Sequence, residues 1–207
     1  MTIDEKEAPG LALFEHRERL LGCRECPDMV GPVVAGPPVT SRVFLLGQAP
    51  GPHEGKVGKP FAWTAGKTLF RWFAQIGIEE DVFRRKVYMA AVCRCFPGKS
   101  GGGGDRVPSK VEIETCSSWL RSEIEILRPR LLVPVGKLAI SQVLEARKLV
   151  DVVGRLHRAD LFGLQMDVVP LPHPSGASTW HRTEPGVSLL DDALGLLAEH
   201  PEMASLR

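Results

Sequence analysis

The apolar run Val43-Phe44-Leu45-Leu46 closes on Gly47 and reads as a strand buried on both faces, because no polar residue marks a solvent side. Pro50 and Gly51 then break the ladder. Gln48 is left at the carboxyl end of the strand, where open α/β sheets keep their ligand crevices. Thr64 reads as the N-cap of a helix over 65–76, with Leu69, Phe70, Trp72, Phe73 and Ile76 on its inner face and Gly77 as its stop. The same logic predicts a helix over 11–21 ending at Gly22, a Pro/Gly loop over 29–41 and a second strand over 86–93. Ser109 and Glu112 form a capping box, opening a helix that carries Ile113, Cys116, Leu120, Ile124 and Leu127 on one face. Residues 130–135 give a third buried strand, and Gly136 opens a helix through about Glu145. Segments 149–160 and 163–171 read as a hairpin turning at Phe162-Gly163. Ser188 caps a terminal helix bearing Leu189, Leu190, Ala193, Leu194 and Leu197. Such alternation predicts a three-layer α/β/α sandwich with a mainly parallel four-stranded central sheet. A single domain over 11–200 follows a flexible segment 1–10.

Composition narrows this only a little. With 207 residues, 43% of them hydrophobic, the chain suits one domain with a full core. A formal net charge of +1 neither requires nor excludes nucleic acid. Charge is uneven, however: between Arg84 and Lys110 seven basic residues (Arg84, Arg85, Lys86, Arg94, Lys99, Arg106, Lys110) meet one acid, Asp105, across a loop with four consecutive glycines. A loop of this kind is able to follow a phosphate backbone. No apolar run approaches a membrane span and segment 1–10 lacks the apolar core of a signal peptide, so the expectation is a cytoplasmic protein with no membrane partner.

Five cysteines are an odd count for a disulfide framework. Cys23-Arg24-Glu25-Cys26 follows a helix, which lets two thiolates reach one metal or cluster and suits zinc and iron equally. A thioredoxin-like pair would instead open a helix after a strand. Cys93 and Cys95 end the second strand; in extended chain their sulfurs share a side, so spacing does not choose between them. Cys116 faces inward near the start of its helix, within reach of the others. The stretch Ala65-Gly66-Lys67-Thr68 mimics the end of a phosphate-binding loop, but the first glycine of that motif would stand at position 61, which is Phe. Nucleoside triphosphate binding is excluded on that ground. His173, held between Pro172 and Pro174 after the last strand, is a second polar group at a strand end. Trp63 and Trp180 lie near the motif loops, where they read either as wedges into a duplex or, the favoured reading, as packing on the sheet edge.

Taken in order, C-x-x-C after the first helix, G-x-A-P-G after the first strand, G-K-P-F with A-G at a helix start, Cys95 after the next strand, Cys116 in the following helix and His-Pro after the last strand resemble the family-four uracil-DNA glycosylases with an iron-sulfur cluster. The resemblance runs from about Leu11 to Leu197. It implies a monofunctional repair enzyme, monomeric and working on the nucleoid of a prokaryote. Such an enzyme flips a deaminated base (uracil, extended to hypoxanthine or xanthine by the departures noted below) from damaged single- or double-stranded DNA and hydrolyses its N-glycosidic bond. By the same resemblance Cys23, Cys26, Cys95 and Cys116 hold a structural 4Fe-4S cluster, leaving Cys93 spare. Phe61 is the stacking platform, with Gly47, Ala49 and Ala91 around the base. His173 stabilises the departing pyrimidine oxygen and Gln48 faces the attacking water. Contacts to DNA fall to Pro50, Gly51, Pro174, Ser175, Gly176 and Ser178; Lys59 and Lys67, which stand at neither strand-end motif, read as phosphate contacts rather than nucleophiles.

Two positions depart from the family pattern. Gln48 stands where many members have Glu, so the side chain orients water but accepts no proton, and water activation passes to positioning, Glu54 or His53. Ala91 stands where the family reads uracil with Asn, and Ala90 offers no replacement, which implies relaxed base choice. The segment H-P-S-G-A-S also replaces the family's H-P-x-Y-L-L. A second implied reading is a DNA-binding or damage-sensing homologue with little or no turnover.

Overall fold

The two faces of strand β1 (Val43–Gly47) feed two different cores. In the computed structural model, which describes residues 8–207, Val43 and Leu45 pack into one apolar cluster, while Phe44 and Leu46 pack into the other. The period of two along an all-apolar strand is what puts a helical layer on each side of the sheet.

The sheet has five strands in the order β2-β1-β3-β5-β4, formed by β2 (Tyr88–Ala91), β3 (Leu131–Pro134), β4 (His157–Leu161) and β5 (Leu164–Val168) around β1. β1 runs parallel to β2 and β3, and β3 parallel to β5. β4 is antiparallel to β5. The expectation of four strands is therefore corrected to five. The extra strand is the outer arm of the predicted hairpin, whose alternating exposure marks an edge rather than a buried strand. Its turn residues Phe162 and Gly163 both have positive φ, 57° and 84°, as a two-residue hairpin turn requires.

One face is covered by α3 (Thr64–Gln75), α4 (Glu80–Lys86), α7 (Gly186–Glu199) and α8 (Pro201–Ala204), through Leu69, Phe73, Phe83, Leu194, Leu197 and Met203. On the other lie α1 (Ala8–Leu21), α5 (Lys110–Leu127) and α6 (Lys137–Ile140), through Leu13, Leu120, Ile124 and Ala139. No helix among the described residues is long and apolar enough to cross a membrane.

Several boundaries move for local reasons. Helix α1 already includes Ala8–Gly10; the rest of the segment expected to be flexible, residues 1–7, lies outside the described residues. Trp63, not Thr64, is the N-cap of α3: it holds extended backbone while its carbonyl starts the first turn by accepting the Lys67 N–H at 3.1 Å. A short helix α2 (Pro52–Val57) fills what reads as loop. The second strand is shorter than 86–93, because Lys86 ends α4 and the Val87 N–H bonds back to Phe83. Helix α6 stops at Ile140, where bonding tightens to an i−3 pattern at Gln142 and Val143. Ser188 lies inside α7, its hydroxyl donating to Glu184 at 2.8 Å. The capping box at Ser109 and Glu112 forms as predicted, with mutual bonds of 3.3 and 2.6 Å.

Candidate active site and cysteine cavity

Strand β1 delivers Gly47 and Gln48 to the floor of a cavity of about 720 Å³ at the carboxyl end of the sheet. Ala90 and Ala91 from β2, Phe61 from the loop before α3, and His173 and Ser175 after β5 line the same cavity. The Val92 N–H bonds the Gly47 carbonyl at 2.9 Å and the Cys93 N–H bonds that of Gln48 at 3.1 Å, so the backbone carrying Gln48 is fixed although the ladder has ended.

Phe61 sits in the left-handed region at φ 52°, a conformation a bulky residue adopts only when its surroundings impose it. Three contacts do so. Arg84 donates to the Pro60 and Phe61 carbonyls, both at 2.9 Å. Glu54 accepts the Gly51 N–H at 2.7 Å and the Ala62 N–H at 3.2 Å, tying the start of α2 to the residue after Phe61. Gly66 lets α3 close on the loop, since a Cβ there would lie 1.8 Å from the Phe61 carbonyl oxygen. At the other end of the side chain, a Cβ on Gly47 would come within 2.9 Å of the Phe61 ring, so the ring lies directly across the end of β1. Gly66→Ala is expected to cost about 3 kcal/mol through overpacking against backbone. In thermal denaturation this appears as a fall of roughly 6–12 °C in Tm.

His173 is positioned from beneath and beside. Gly136, at φ 87°, carries no side chain because a Cβ would meet His173 Cδ2 at 2.8 Å. The Ser175 N–H donates to His173 Nδ1 at 3.2 Å, and the Ser175 hydroxyl lies 2.9 Å from the same nitrogen. A nitrogen that accepts a backbone N–H carries no hydrogen, so the neutral ring bears its proton on Nε2. Burial, with a smaller contribution from His181, holds the ring below the ordinary histidine range. His181 is buried behind it, edge-on to Trp72 at 5.2 Å between centroids.

The cavity wall includes two carboxylates, Glu54 and Asp105, and both are engaged. Glu54 is committed to the two backbone N–H groups above, while burial raises its pKa. Asp105 pairs with Lys99 at 2.6 Å. His53 is exposed and stacks on Trp63. The basic segment is also largely neutralised in three dimensions: Arg84, Arg85, Arg94, Lys99 and Arg106 pair with Glu80, Asp81, Glu123, Asp105 and Glu112. Four of those acids lie outside the stretch 84–110 or in α5, so a linear count misses them.

A second cavity, of about 480 Å³, is lined by Cys23 and Cys26 beyond α1, Cys95 beyond β2 and Cys116 in α5. Residues 92–95 form bends, not strand. The two cysteines expected to share a side therefore part: Cys95 faces the cavity, while Cys93 is fully buried in the core beneath it. The Cys93 thiol donates to Cys116, and with the Arg94 N–H this brings Cys116 down to about 6 against the opposing effect of burial. Burial pushes Cys26 and Cys95 up to about 11. Arg94 and Trp119 also line the cavity, and Arg94 Nε and Trp119 Nε1 are buried N–H groups without a partner. Behind them Arg94 pairs with fully buried Glu123, which also accepts the Tyr88 hydroxyl at 2.7 Å. His16 Nε2 approaches that carboxylate at 3.4 Å without hydrogen-bond geometry. Burial opposes charge on Glu123, yet Arg94 foremost keeps its carboxyl below the ordinary range. No group of three or more His, Cys, Asp or Glu side chains closes on a single metal ion among the described residues.

Residues 33–193 match the family model of the uracil DNA glycosylase superfamily. The chain belongs to that superfamily. Among its relatives in this group, a type-4 uracil-DNA glycosylase of Thermotoga maritima is 30% identical over 76% of this chain and 79% of its own length. A type-4 enzyme of Pyrobaculum aerophilum is 30% identical over 64% of this chain, and a type-5 uracil-DNA glycosylase of the same organism 30% identical over 61%. The matched segment spans 66% of that type-4 relative's length, just under two thirds, and 67% of the type-5 one.

Of the residues expected at a glycosylase site, Gly47, Gln48, Ala49, Phe61, Ala91 and His173 share one cavity, with Pro50, Gly51, Ser175 and Ser178 also in its wall. Pro174 is buried and Gly176 exposed, and neither lines it; Lys59 and Lys67 are exposed outside the lining. Sequence reading missed Arg84, Gly136 and the clamp made by Glu54. Gly136 carried a signal in its place after an apolar strand; Arg84 carried none beyond its spacing from Glu80.

Proposed function

We propose that this protein is a DNA repair glycosylase that takes a deaminated base out of the helix, hydrolyses its N-glycosidic bond and leaves an abasic site. Uracil is the primary substrate, with hypoxanthine and xanthine as further ones. The observation that carries the reading is one cavity holding an aromatic ring, an amide and a neutral imidazole at the carboxyl ends of parallel strands, in a chain of this superfamily.

The chemistry follows from these groups. The flipped base exchanges stacking in the helix for the Phe61 ring. As the bond from C1′ to the base nitrogen breaks, its electron pair goes to the base, and negative charge collects on the pyrimidine oxygen. His173 Nε2–H is the donor there, a neutral donor that needs no proton transfer to act. The sugar left behind is cationic and takes water at C1′. Gln48 orients that water, whose proton leaves to solvent. Glu54 is assigned to holding the Phe61 loop, since both of its oxygens already accept backbone N–H groups.

In the second cavity Cys23, Cys26, Cys95 and Cys116 would hold a 4Fe-4S cluster. Two observations support the fit: four thiols around a space larger than one ion, and two partnerless N–H groups in its wall that anionic sulfur would satisfy. When bound, the cluster supplies cross-linking of α1, the bends after β2 and α5, and no step of the reaction.

The test is cleavage of labelled oligonucleotides containing one uracil, hypoxanthine or xanthine by anaerobically purified protein. Alkali-labile sites at the modified base are expected. A protein that binds the oligonucleotides and cuts none is instead the damage-sensing homologue, a reading favoured by the absence of a free carboxylate in the described cavity wall. Ala91 is half-exposed in that wall, so Asn has room there. Ala91→Asn is expected to raise the uracil-to-hypoxanthine ratio of kcat/KM at least about tenfold, because an amide pairs with uracil's edge and a methyl does not.

A further inference from the structure

Trp63 does not pack on the sheet edge. Its side chain is 49% exposed at the rim of the active-site cavity. One face of the indole is covered by His53, with ring centroids 4.2 Å apart and planes 19° from parallel. A large aromatic stacked on one face and open on the other is an unfinished stack, and so much exposed indole is unusual unless something covers it.

The pair is also held in place. The Glu54 carboxylate takes the Ala62 N–H just before Trp63 and the Gly51 N–H just before the helix carrying His53, and the Trp63 carbonyl starts α3. The two rings are therefore carried by backbone that one half-buried side chain holds together, which lowers the entropic cost when a third ring arrives. Lys99, Asp105 and Arg106 of the glycine-rich loop line the same cavity. Trp63 stands two residues from Phe61, the proposed platform for the flipped base, yet at the rim.

We propose that the Trp63/His53 stack is a second nucleobase subsite, which receives on its free face an unpaired base neighbouring the extruded one. The inference rests on the glycosylase reading for the identity of its ligand. Its chemistry is π-stacking without edge hydrogen bonds, so it is indifferent to which base it takes. It demands that the base be unpaired, so the subsite favours single-stranded or locally opened DNA over intact duplex.

The experiment compares wild type, Trp63→Phe and Trp63→Ala. Fluorescence is titrated with a single-stranded oligonucleotide containing no modified base, so that no turnover occurs. Quenching of the emission that wild type has and Trp63→Phe lacks is expected. In cleavage of single-stranded uracil DNA, Trp63→Ala is expected to raise KM about tenfold with kcat within about twofold, Trp63→Phe recovering most of the loss. The ratio of single- to double-strand KM should move toward one. Unchanged KM in Trp63→Ala, or Trp63 emission indifferent to DNA, overturns the subsite; so does a fall in kcat alone, which marks a residue that aids extrusion. Wild-type protein that cleaves nothing sinks the glycosylase reading, and the quenching experiment then decides the subsite by itself.

Discussion

His173→Ala is expected to lower kcat by about 10²–10³-fold, the cost of removing one preorganised donor from a developing anion, with KM little changed. The separation follows from where charge is. The base oxygen carries little charge in the bound substrate and much in the transition state, so the Nε2–H interaction strengthens only as the bond breaks. The donor is preorganised by the Ser175 N–H on Nδ1 and by Gly136 against the ring, neither of which the substitution removes. Circular dichroism and Tm should therefore stay close to wild type. Equal losses of activity and Tm would mean that the residue acts through folding instead.

The pH dependence of wild type gives the same assignment an independent check. The ring is held below its ordinary range, first by burial and then by His181. The neutral form that accepts from Ser175 and donates from Nε2 thus persists below the usual histidine value of about 6.5. The rate is expected to stay level from neutral pH down past that point and to fall only in more acidic solution. Linkage has the same sign: the unfolded chain binds the proton first, so the stability contributed by the neutral ring is full above about 6.5. It is lost as pH falls through the depressed folded value.

Much of this site was legible in the sequence because strand ends announce themselves. Apolar runs closed by Gly47 and by Pro172 placed Gln48 and His173 at the same edge of a parallel sheet, and the sheet brought them to one cavity. Groups acting at right angles to the chain were not legible. Arg84 reaches the Phe61 carbonyl across 23 residues, and no local pattern announces a guanidinium that clamps a backbone. Charge was misread for a related reason. Lys99 and Asp105 are close in sequence, but Arg94 and Glu123 meet only because β2 and α5 pack together. The fifth strand was seen as half of a hairpin, yet its place in the sheet depends on β5 joining β3, a contact that periodicity does not encode.

Cys95→Ala is expected to remove iron and visible absorbance and to leave protein that unfolds at ordinary temperature, while Cys93→Ala keeps both colour and fold. Sequence spacing treats the two alike, so the contrast rests on the bends at 92–95. They turn Cys95 into the 480 Å³ cavity with Cys23, Cys26 and Cys116 and send Cys93 into the core. In the proposed cluster, which would tie three segments together, losing one of four thiolates forfeits binding free energy that the fold would use as stability, and a domain's margin is only about 5–15 kcal/mol. The unpaired Arg94 and Trp119 N–H groups would then face an empty cavity or water. Cys93→Ala instead deletes a small core group and its S–H donation to Cys116, at about 1–2 kcal/mol. Iron content, absorbance and thermal midpoint of the two variants, purified side by side without oxygen, distinguish these outcomes. If Cys93→Ala is the colourless one, the ligand set is Cys23, Cys26, Cys93 and Cys116, and the chain around Arg94 must turn the other way from that described.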